Sequence, residues 1–236
     1  MAITSTFQPE FEFDYDDTLP LLHQYSIPVM QRTIYNKMRA LFRVKHGYSQ
    51  RARSWIGPGY HGLLIYGLVR KLLPRSVVDV GTCWGFSALC AALAMEDARL
   101  NSQVLTIDRS EHTDYGSDAF FDRLRRDKVF QVVGLSKQQL PQYAPVTIDL
   151  AFVDGGHSYE QVHFDATFLS RRLSPNGILM LDDCVAEYAG VEQAAREIEY
   201  EFGLTRTTFR RIAMFSSRPF ATSLTQADKI GTAQLR

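Results

Sequence analysis

The chain has 236 residues and a net charge of zero at pH 7, and 45% of its residues are hydrophobic. That length suits one domain of ordinary size with an arm, and the composition allows a substantial core. The neutral balance gives no sign of nucleic-acid or membrane-surface binding, and no apolar run approaches the ~20 residues of a membrane span. The N-terminus lacks a signal-peptide pattern, and the three cysteines form no C-x-x-C pair. These features predict a soluble cytoplasmic protein without disulfides or a zinc site, whose partners are small molecules.

Charge is distributed unevenly near the N-terminus. Residues 1–31 carry five acids and no Lys or Arg, whereas residues 32–75 carry ten Lys and Arg and no acid. One interpretation is a solvated acidic arm followed by basic helix faces, paired within a homodimer. The other is that the basic segment holds an anionic substrate or cofactor group. The sequence does not separate the two interpretations.

The N-terminal part of the chain predicts an arm and two helices. The first 25 residues or so lack periodicity and predict an extended arm or a partly disordered tail. One helix is predicted from Val29 to about Arg43 and another from about Tyr60 to Leu73, with a loop rich in Gly and Arg between them. We expect residues 1–54 to form an N-terminal arm and helix that act as a substrate lid or dimer contact.

From residue 77 onward, predicted strands and helices alternate, which is typical of an α/β fold with a mostly parallel sheet and helices on both faces. Helices are predicted to begin near Phe86, Asp118, Ser136, Ser158 and Val191. A turn at residues 175–177 is expected to lead into the fifth strand. The binding domain is expected to span residues 55–216, followed by an irregular tail over residues 217–236. The predicted strands are Val77–Val80, Gln103–Asp108, Val129–Val133, Ile148–Asp154 and Ile178–Leu181, with a C-terminal antiparallel hairpin of Leu204–Phe209 and Ile212–Phe215.

A glycine loop, Gly81-Thr82-Cys83-Trp84-Gly85, follows the first strand. The dinucleotide fingerprint needs a middle glycine where the backbone approaches a pyrophosphate, and Cys83 occupies that position. Asp108 ends the second strand, where an acid can accept hydrogen bonds from ribose hydroxyls. The loop and Asp108 therefore favour an adenosine ligand that carries an amino acid instead of phosphates, with its amino-acid end at Asp79 and the loop amides.

These segments resemble the class I S-adenosylmethionine-dependent methyltransferases, over roughly residues 55–216. The resemblance implies a Rossmann-like, seven-stranded, mostly parallel sheet that ends in the antiparallel hairpin. It also implies that the loop binds the methionine end, Asp108 the ribose, and Gly134-Leu135-Ser136 the adenine edge. The cofactor-binding residues it implies are Asp79, Gly81, Thr82, Gly85, Ser87, Asp108, Ser136 and Asp154.

Three carboxylates are expected at the ends of neighbouring strands. Asp154 closes the fourth strand, and Asp182 and Asp183 close the fifth. Unpaired, they would repel one another and keep at least one carboxyl protonated. A divalent cation removes that conflict, and oxygen ligands without cysteine favour Mg²⁺. Helix capping is the alternative, and it suits Asp154 better than the adjacent pair.

The stretches Phe152–Glu160 and Leu173–Asp183 resemble a subgroup of small-molecule O-methyltransferases that includes the macrocin- and mycinamicin-type sugar methyltransferases and cephalosporin-hydroxylase-like proteins. The resemblance implies Mg²⁺ binding by three acids and a general base at His157. Gly156 stands where other members carry an acid, which favours His157 as the base. A structural role for His157 is the alternative, and His61 and His112 are reserve candidates. The metal ligands implied are Asp154, Asp182 and Asp183.

The sequence as a whole predicts a Mg²⁺-dependent O-methyltransferase that uses S-adenosylmethionine to methylate a small hydroxylated acceptor, either a natural-product sugar or a phenolic. Two alternatives stay open: a non-catalytic S-adenosylmethionine-binding protein of the same fold, and a nicotinamide-dependent oxidoreductase. The acids with His157 argue against the first, and Cys83 argues against the second. We expect residues 55–61 and 185–190 to set substrate selectivity.

Overall fold

The computed structural model describes residues 14–45, 60–111 and 118–221. Helices α1 (Asp14–Gln24), α2 (Arg32–Lys45) and α3 (Tyr60–Leu72) precede the sheet. The expectation of an extended arm is therefore wrong for residues 14–24, because Tyr15 and Leu22 on one face of α1 are buried in the core. No helix in the described ranges is long and apolar enough to cross a membrane.

Within the described residues, seven strands form one sheet in the order β3-β2-β1-β4-β5-β7-β6. The first five strands of that order pair in parallel, and β7 lies antiparallel between β5 and β6. The predicted mixed sheet with its C-terminal hairpin is confirmed. The strands are β1 (Val77–Val80), β2 (Val104–Asp108), β3 (Val129–Val133), β4 (Ile148–Val153), β5 (Leu173–Leu181), β6 (Thr205–Phe209) and β7 (Ile212–Ser216).

The start of β5 differs from the prediction. The turn expected at residues 175–177 lies inside this strand, which begins at Leu173. Pairing with β4 shifts register there: Ile148 aligns with Leu173, but Leu150 aligns with Ile178. The turn-forming residues are accommodated as a bulge, where a proline without an N–H group costs no ladder hydrogen bond.

Helices cover both faces of the sheet, and alternate strand residues face opposite sides. Val77 and Phe152 belong to a hydrophobic cluster that includes residues of α1, α2 and α3. Val78 and Val153 belong to a second cluster on the other face. The helices that follow α3 are α4 (Phe86–Asp97), α5 (Ala119–Lys128), α6 (Ser136–Tyr143), α7 (Tyr159–Ser170) and α8 (Ala189–Phe202), with a short 3-10 turn at Ala186–Tyr188 before α8.

The strand register brings the predicted site residues to one edge of the sheet. Val80 aligns with Ile107 of β2 and with Val153 of β4, and Val153 aligns with Leu181 of β5. The strand order reverses between β1 and β4, which is where open α/β sheets form their ligand crevice. The residues that come next along these strands are Gly81, Asp108, Asp154 and Asp182.

Candidate active site

The glycine loop after β1 depends on its two glycines. Gly81 has φ of +101°, and a Cβ atom there would overlap the backbone carbonyl of Asp154 and lie 2.7 Å from the nitrogen of Gly155. Gly85 has φ of 80° and caps α4 in the left-handed conformation. Cys83 between them also has positive φ, 43°, a conformation that costs a non-glycine residue about 1–2 kcal/mol. The loop is thus tightly folded, with its backbone directly against that of Asp154.

Asp79 is buried behind this loop, with 2% of its surface exposed. Its carboxylate accepts hydrogen bonds from Thr106 Oγ1 at 2.7 Å and Ser87 Oγ at 3.0 Å. The hydroxyls of Thr82 and Thr106 are 2.6 Å apart, and Thr82 is the donor because the proton of Thr106 goes to Asp79. Burial raises the pKa of Asp79 to about 7, although the hydrogen bonds from Thr106 and Ser87 oppose the shift.

Thr106 was missed as a site residue by the sequence reasoning. It aligns with Asp79 in the pairing of β1 with β2 and is fully buried. A hydroxyl in the middle of an otherwise apolar strand, beside a buried acid, is the signal that could have identified it.

Asp108 ties the end of β2 to the glycine loop. One carboxylate oxygen accepts from the Cys83 backbone N–H and the other from the Ser110 N–H, both at 2.9 Å. A carboxylate offers about four lone-pair sites, so contacts with the backbone are compatible with hydrogen bonding to a ligand hydroxyl.

Ser136 occupies a less favourable position for ligand contact. It is buried at the start of α6 and faces Asp165 of α7. Burial raises the pKa of Asp165 to about 7, and the Ser136 hydroxyl lowers it in part.

A cleft lies between the glycine loop and the end of β4. Thr82 and Ser87 contribute its hydroxyl groups, and Asp154 contributes a carboxylate. The cleft is lined by His61, Gly81, Thr82, Cys83, Trp84, Phe86, Ser87, Phe152 and Asp154.

The acidic cluster contains two of the three predicted acids together with a histidine. One ligand atom from each of His61, Asp154 and Asp182 lies within 4.8 Å of the other two. Burial raises the pKa of Asp154 well above its ordinary value, and the charges of Asp182, Asp183 and Asp79 raise it further. The repulsion expected among the acids is present, and it acts chiefly on Asp154.

Asp183 faces different partners from Asp182. Its φ of 53° is in the left-handed region, so adjacent carboxylates are directed to separate groups. Asp183 accepts from Arg211 Nε at 2.6 Å, and its other oxygen lies 3.1 Å from His157 Nε2. Burial alone would raise the pKa of Asp183, but the hydrogen bonds from His157 and Arg211 hold it below its ordinary value.

Arg211 was also missed by the sequence reasoning. It lies at the turn between β6 and β7, and its carbonyl accepts from the N–H of Cys184 at 2.7 Å. Both the hairpin and the end of β5 were predicted. Their antiparallel pairing places this arginine beside Asp183, so the basic turn residue was a usable signal.

The two histidines differ in burial. His157 is 36% exposed at its side chain, and its ring packs on Tyr188 with centroids 4.4 Å apart. His61 lies in the first turn of α3 with 4% of its surface exposed, between the rings of Tyr60 and Phe152. His112 and residues 55–59 lie outside the described residues.

The cluster fits a divalent cation. His61 Nε2 and Asp182 Oδ1 are 3.0 Å apart, yet neither atom has a hydrogen-bond partner in the described part of the chain. Buried polar atoms of this kind are rare, and a bound ion satisfies them. Two carboxylates and an imidazole are also common ligands of divalent metals.

The cysteines near the cleft are not activated nucleophiles. Burial raises the pKa of Cys83 and of Cys184 to about 12. Both therefore stay protonated at neutral pH.

Residues 78–184 match a protein-family model described as a methyltransferase domain. A relative from Sinorhizobium fredii, the uncharacterised protein y4gI, is 26% identical over 198 residues, covering 75% of this chain and 21% of that protein. The chain thus spans about a fifth of the length of the curated relative it matches.

Solved structures of methyltransferases share the fold. The O-methyltransferase from Bacillus cereus in complex with SAH is 18% identical, with a TM-score of 0.54, over 91% of this chain and 94% of that one. TomG from Streptomyces achromogenes, involved in tomaymycin synthesis and bound to SAM, is 16% identical, with a TM-score of 0.57, over 89% and 100%. CalS11, a TDP-rhamnose 3′-O-methyltransferase of calicheamicin biosynthesis, is 15% identical, with a TM-score of 0.55, over 92% and 99%. The methyltransferase fold predicted from the sequence is confirmed.

Proposed function

We propose that this protein transfers a methyl group from S-adenosylmethionine to a hydroxyl of a small molecule, with a divalent cation bound beside the acceptor. The observation that carries the proposal is the single cleft in which the glycine loop meets Asp154. One wall suits an adenosine ligand and the other suits a cation, at the point where the strand order reverses. Methyl transfer requires a donor and an acceptor oxygen held side by side in this way.

We assign the loop side of the cleft to the cofactor. S-adenosylmethionine supplies a sulfonium methyl group that is already activated. Asp108 would accept from the ribose hydroxyls, and the loop amides with Thr82 and Ser87 would hold the amino-acid end. Asp79 orients these two hydroxyls from behind, Ser87 directly and Thr82 through Thr106.

Two further parts of the cofactor assignment follow from the backbone. Gly81 and Gly85 permit the positive φ values that fold the loop, which brings Thr82 and Ser87 to the wall of the cleft. Ser136 would contact the adenine edge through its backbone, because its hydroxyl faces Asp165.

On the acceptor side, Asp154 and Asp182 would hold the cation. A divalent cation lowers the pKa of a hydroxyl that coordinates it. Asp183 is left for a different task, since Arg211 and His157 already occupy its oxygens. The predicted three-acid metal site is therefore proposed here as a pair of acids with Asp183 beside it.

We assign the proton transfer to His157. With its Nε2–H donating to Asp183, its Nδ1 carries the lone pair that accepts the hydroxyl proton. Arg211 helps keep Asp183 ionised, and the ionised carboxylate stabilises the imidazolium that forms. Histidine suits this role near neutral pH because its reference pKa is about 6.5.

The class of acceptor is inferred from similar proteins. TomG and CalS11 both act in natural-product synthesis, and the second is a sugar O-methyltransferase by its name. A natural-product sugar or a phenolic is therefore the proposed acceptor. His61, Asp154 and Asp182 lie where a sugar or a phenolic could place a hydroxyl group beside the cleft.

The test is an S-adenosylhomocysteine-release screen over sugars, glycosides and catechols, run with a divalent ion and with a chelator. We expect turnover with at least one acceptor, its loss with chelator, and its loss in Asp182→Asn. Asp122→Asn, at a partly exposed acid on α5, is the matched control and should keep full activity. Cofactor binding without turnover on any acceptor would favour the non-catalytic alternative. Nicotinamide binding would favour the oxidoreductase.

A further inference from the structure

We infer that His61 is a metal ligand, and that the cation site of this chain is a mixed nitrogen–oxygen site that binds Mn²⁺ more tightly than Mg²⁺. The inference rests on the proposed function, because the same cation would serve the acceptor hydroxyl. It changes the expected chemistry of the site, since the sequence predicted oxygen ligands alone.

Three buried or half-buried ligand atoms lie close together at the ends of β4 and β5 and the start of α3. Nitrogen from His61 and oxygens from Asp154 and Asp182 lie within 4.8 Å of one another. Octahedral ligands around an ion with bonds of about 2.1 Å are separated by at most about 4.2 Å. Adjacent ligands of such an ion are about 3.0 Å apart, which matches the 3.0 Å between His61 Nε2 and Asp182 Oδ1, and an inward movement of Asp154 would complete the coordination sphere.

His61 and Asp182 are in direct contact. A hydrogen bond would align the ring N–H with the carboxylate oxygen. The two atoms are 3.0 Å apart, but neither has a hydrogen-bond partner in the described residues. Their arrangement fits two atoms directed toward a shared third point, which Asp154 also borders.

Neighbouring aromatic rings fix the position of the His61 imidazole. The His61 ring contacts the rings of Tyr60 and Phe152, at centroid distances of 4.5 and 5.8 Å. With 4% of its surface exposed, the side chain has little room to rotate away from the acids. A buried histidine held against two carboxylates is preorganised for coordination.

Both carboxylate oxygens of Asp183 already have partners within the protein. Arg211 and His157 occupy its two oxygens, so the imidazole nitrogen takes the place expected for a third carboxylate. Imidazole favours first-row transition ions over Mg²⁺, which prefers oxygen ligands. Mn²⁺ accepts both types and reports on its ligands by magnetic resonance.

The experiment uses the full chain, freed of metal with a chelator and titrated with Mn²⁺ under electron paramagnetic resonance. Electron spin-echo envelope modulation then detects ¹⁴N coupled to the bound ion. His61→Asn is the test variant and His157→Asn the matched control, and circular dichroism checks that both fold. A wild-type sample labelled with ¹⁵N-histidine assigns the nitrogen to histidine even if His61→Asn does not fold.

We expect ¹⁴N coupling in the wild type and in His157→Asn, its loss in His61→Asn, and its replacement by a ¹⁵N pattern in the labelled sample. Mn²⁺ binding should weaken at least about tenfold in His61→Asn. Displacing Mn²⁺ from the wild type should need at least about a tenfold excess of Mg²⁺.

Bound Mn²⁺ without nitrogen coupling, or coupling lost only in His157→Asn, would overturn the role of His61 and leave the proposed methyl transfer intact. An absence of Mn²⁺ binding would overturn both this inference and the metal requirement. Calorimetry with S-adenosylmethionine reports separately on the cofactor side.

Discussion

Asp79→Asn should stabilise the ligand-free protein at high pH and leave it nearly unchanged at low pH. The pKa of the buried carboxyl rises from 3.8 to about 7, chiefly because of burial. A folded-state pKa above the unfolded value means that Asp79 contributes its full stability below about pH 4 and loses it as the pH rises through 7. This rise in the pKa corresponds to about 4 kcal/mol of folding stability, of which about 3 kcal/mol is lost between pH 5 and pH 8. Asparagine keeps the shape and an acceptor for Thr106 but carries no charge to bury.

The assay is urea unfolding of wild type and Asp79→Asn at pH 5 and pH 8 without cofactor. The stability of the variant relative to wild type should increase by about 3 kcal/mol between the two pH values. Asp122→Asn, at a partly exposed position, is the control and should show no comparable increase. The reasoning is refuted if Asp79→Asn loses as much stability between pH 5 and pH 8 as the wild type does.

Three other substitutions or treatments test the site. Gly81→Ala should lose about 2–5 kcal/mol of stability in urea unfolding and abolish S-adenosylmethionine binding. The reason is that the new Cβ atom would overlap the Asp154 carbonyl, at a residue whose φ is already positive. Its control, Gly203→Ala, has φ of +59° with open space and should lose only about 1–2 kcal/mol; equal losses would contradict the overlap. Arg211→Met should cost about 1–3 kcal/mol at pH 7, and the cost should shrink as the pH falls below 3.8 because the pKa of Asp183 is lowered in the folded protein; a cost that does not decrease at all as the pH falls from 5 to 2 would argue against the ion pair. Native Cys83 should react with iodoacetamide at pH 8 far more slowly than free cysteine, because its pKa is about 12, and mass spectrometry of the alkylated peptide would reveal the opposite result.

The fold was largely predictable because its signals are local. The apolar run of β1, with a glycine directly after it, determined the strand bounds residue for residue. Alternation of such runs with helical periodicity fixed the sheet class. The arm prediction failed for α1 because its helical stripe is short and includes Pro20, a residue that disfavours the interior of a helix.

The site was only partly predictable because its details depend on backbone conformation and on contacts between distant segments. Parallel strand ends share an edge, so Asp154 and Asp182 could be placed together from the sequence. The direction of Asp183 could not, since it follows from a positive φ that aspartate tolerates but does not require. The approach of His61 depends on how α3 packs against the sheet.

The most direct test of the proposed function is calorimetric titration of the purified chain with S-adenosylmethionine, comparing wild type with Asp108→Ala. We predict saturable binding of one ligand per chain in the wild type, and binding at least about tenfold weaker in the variant, because hydrogen bonds to a charged group contribute about 1.5–3 kcal/mol. A wild-type protein that binds no S-adenosylmethionine would contradict the proposed methyl transfer.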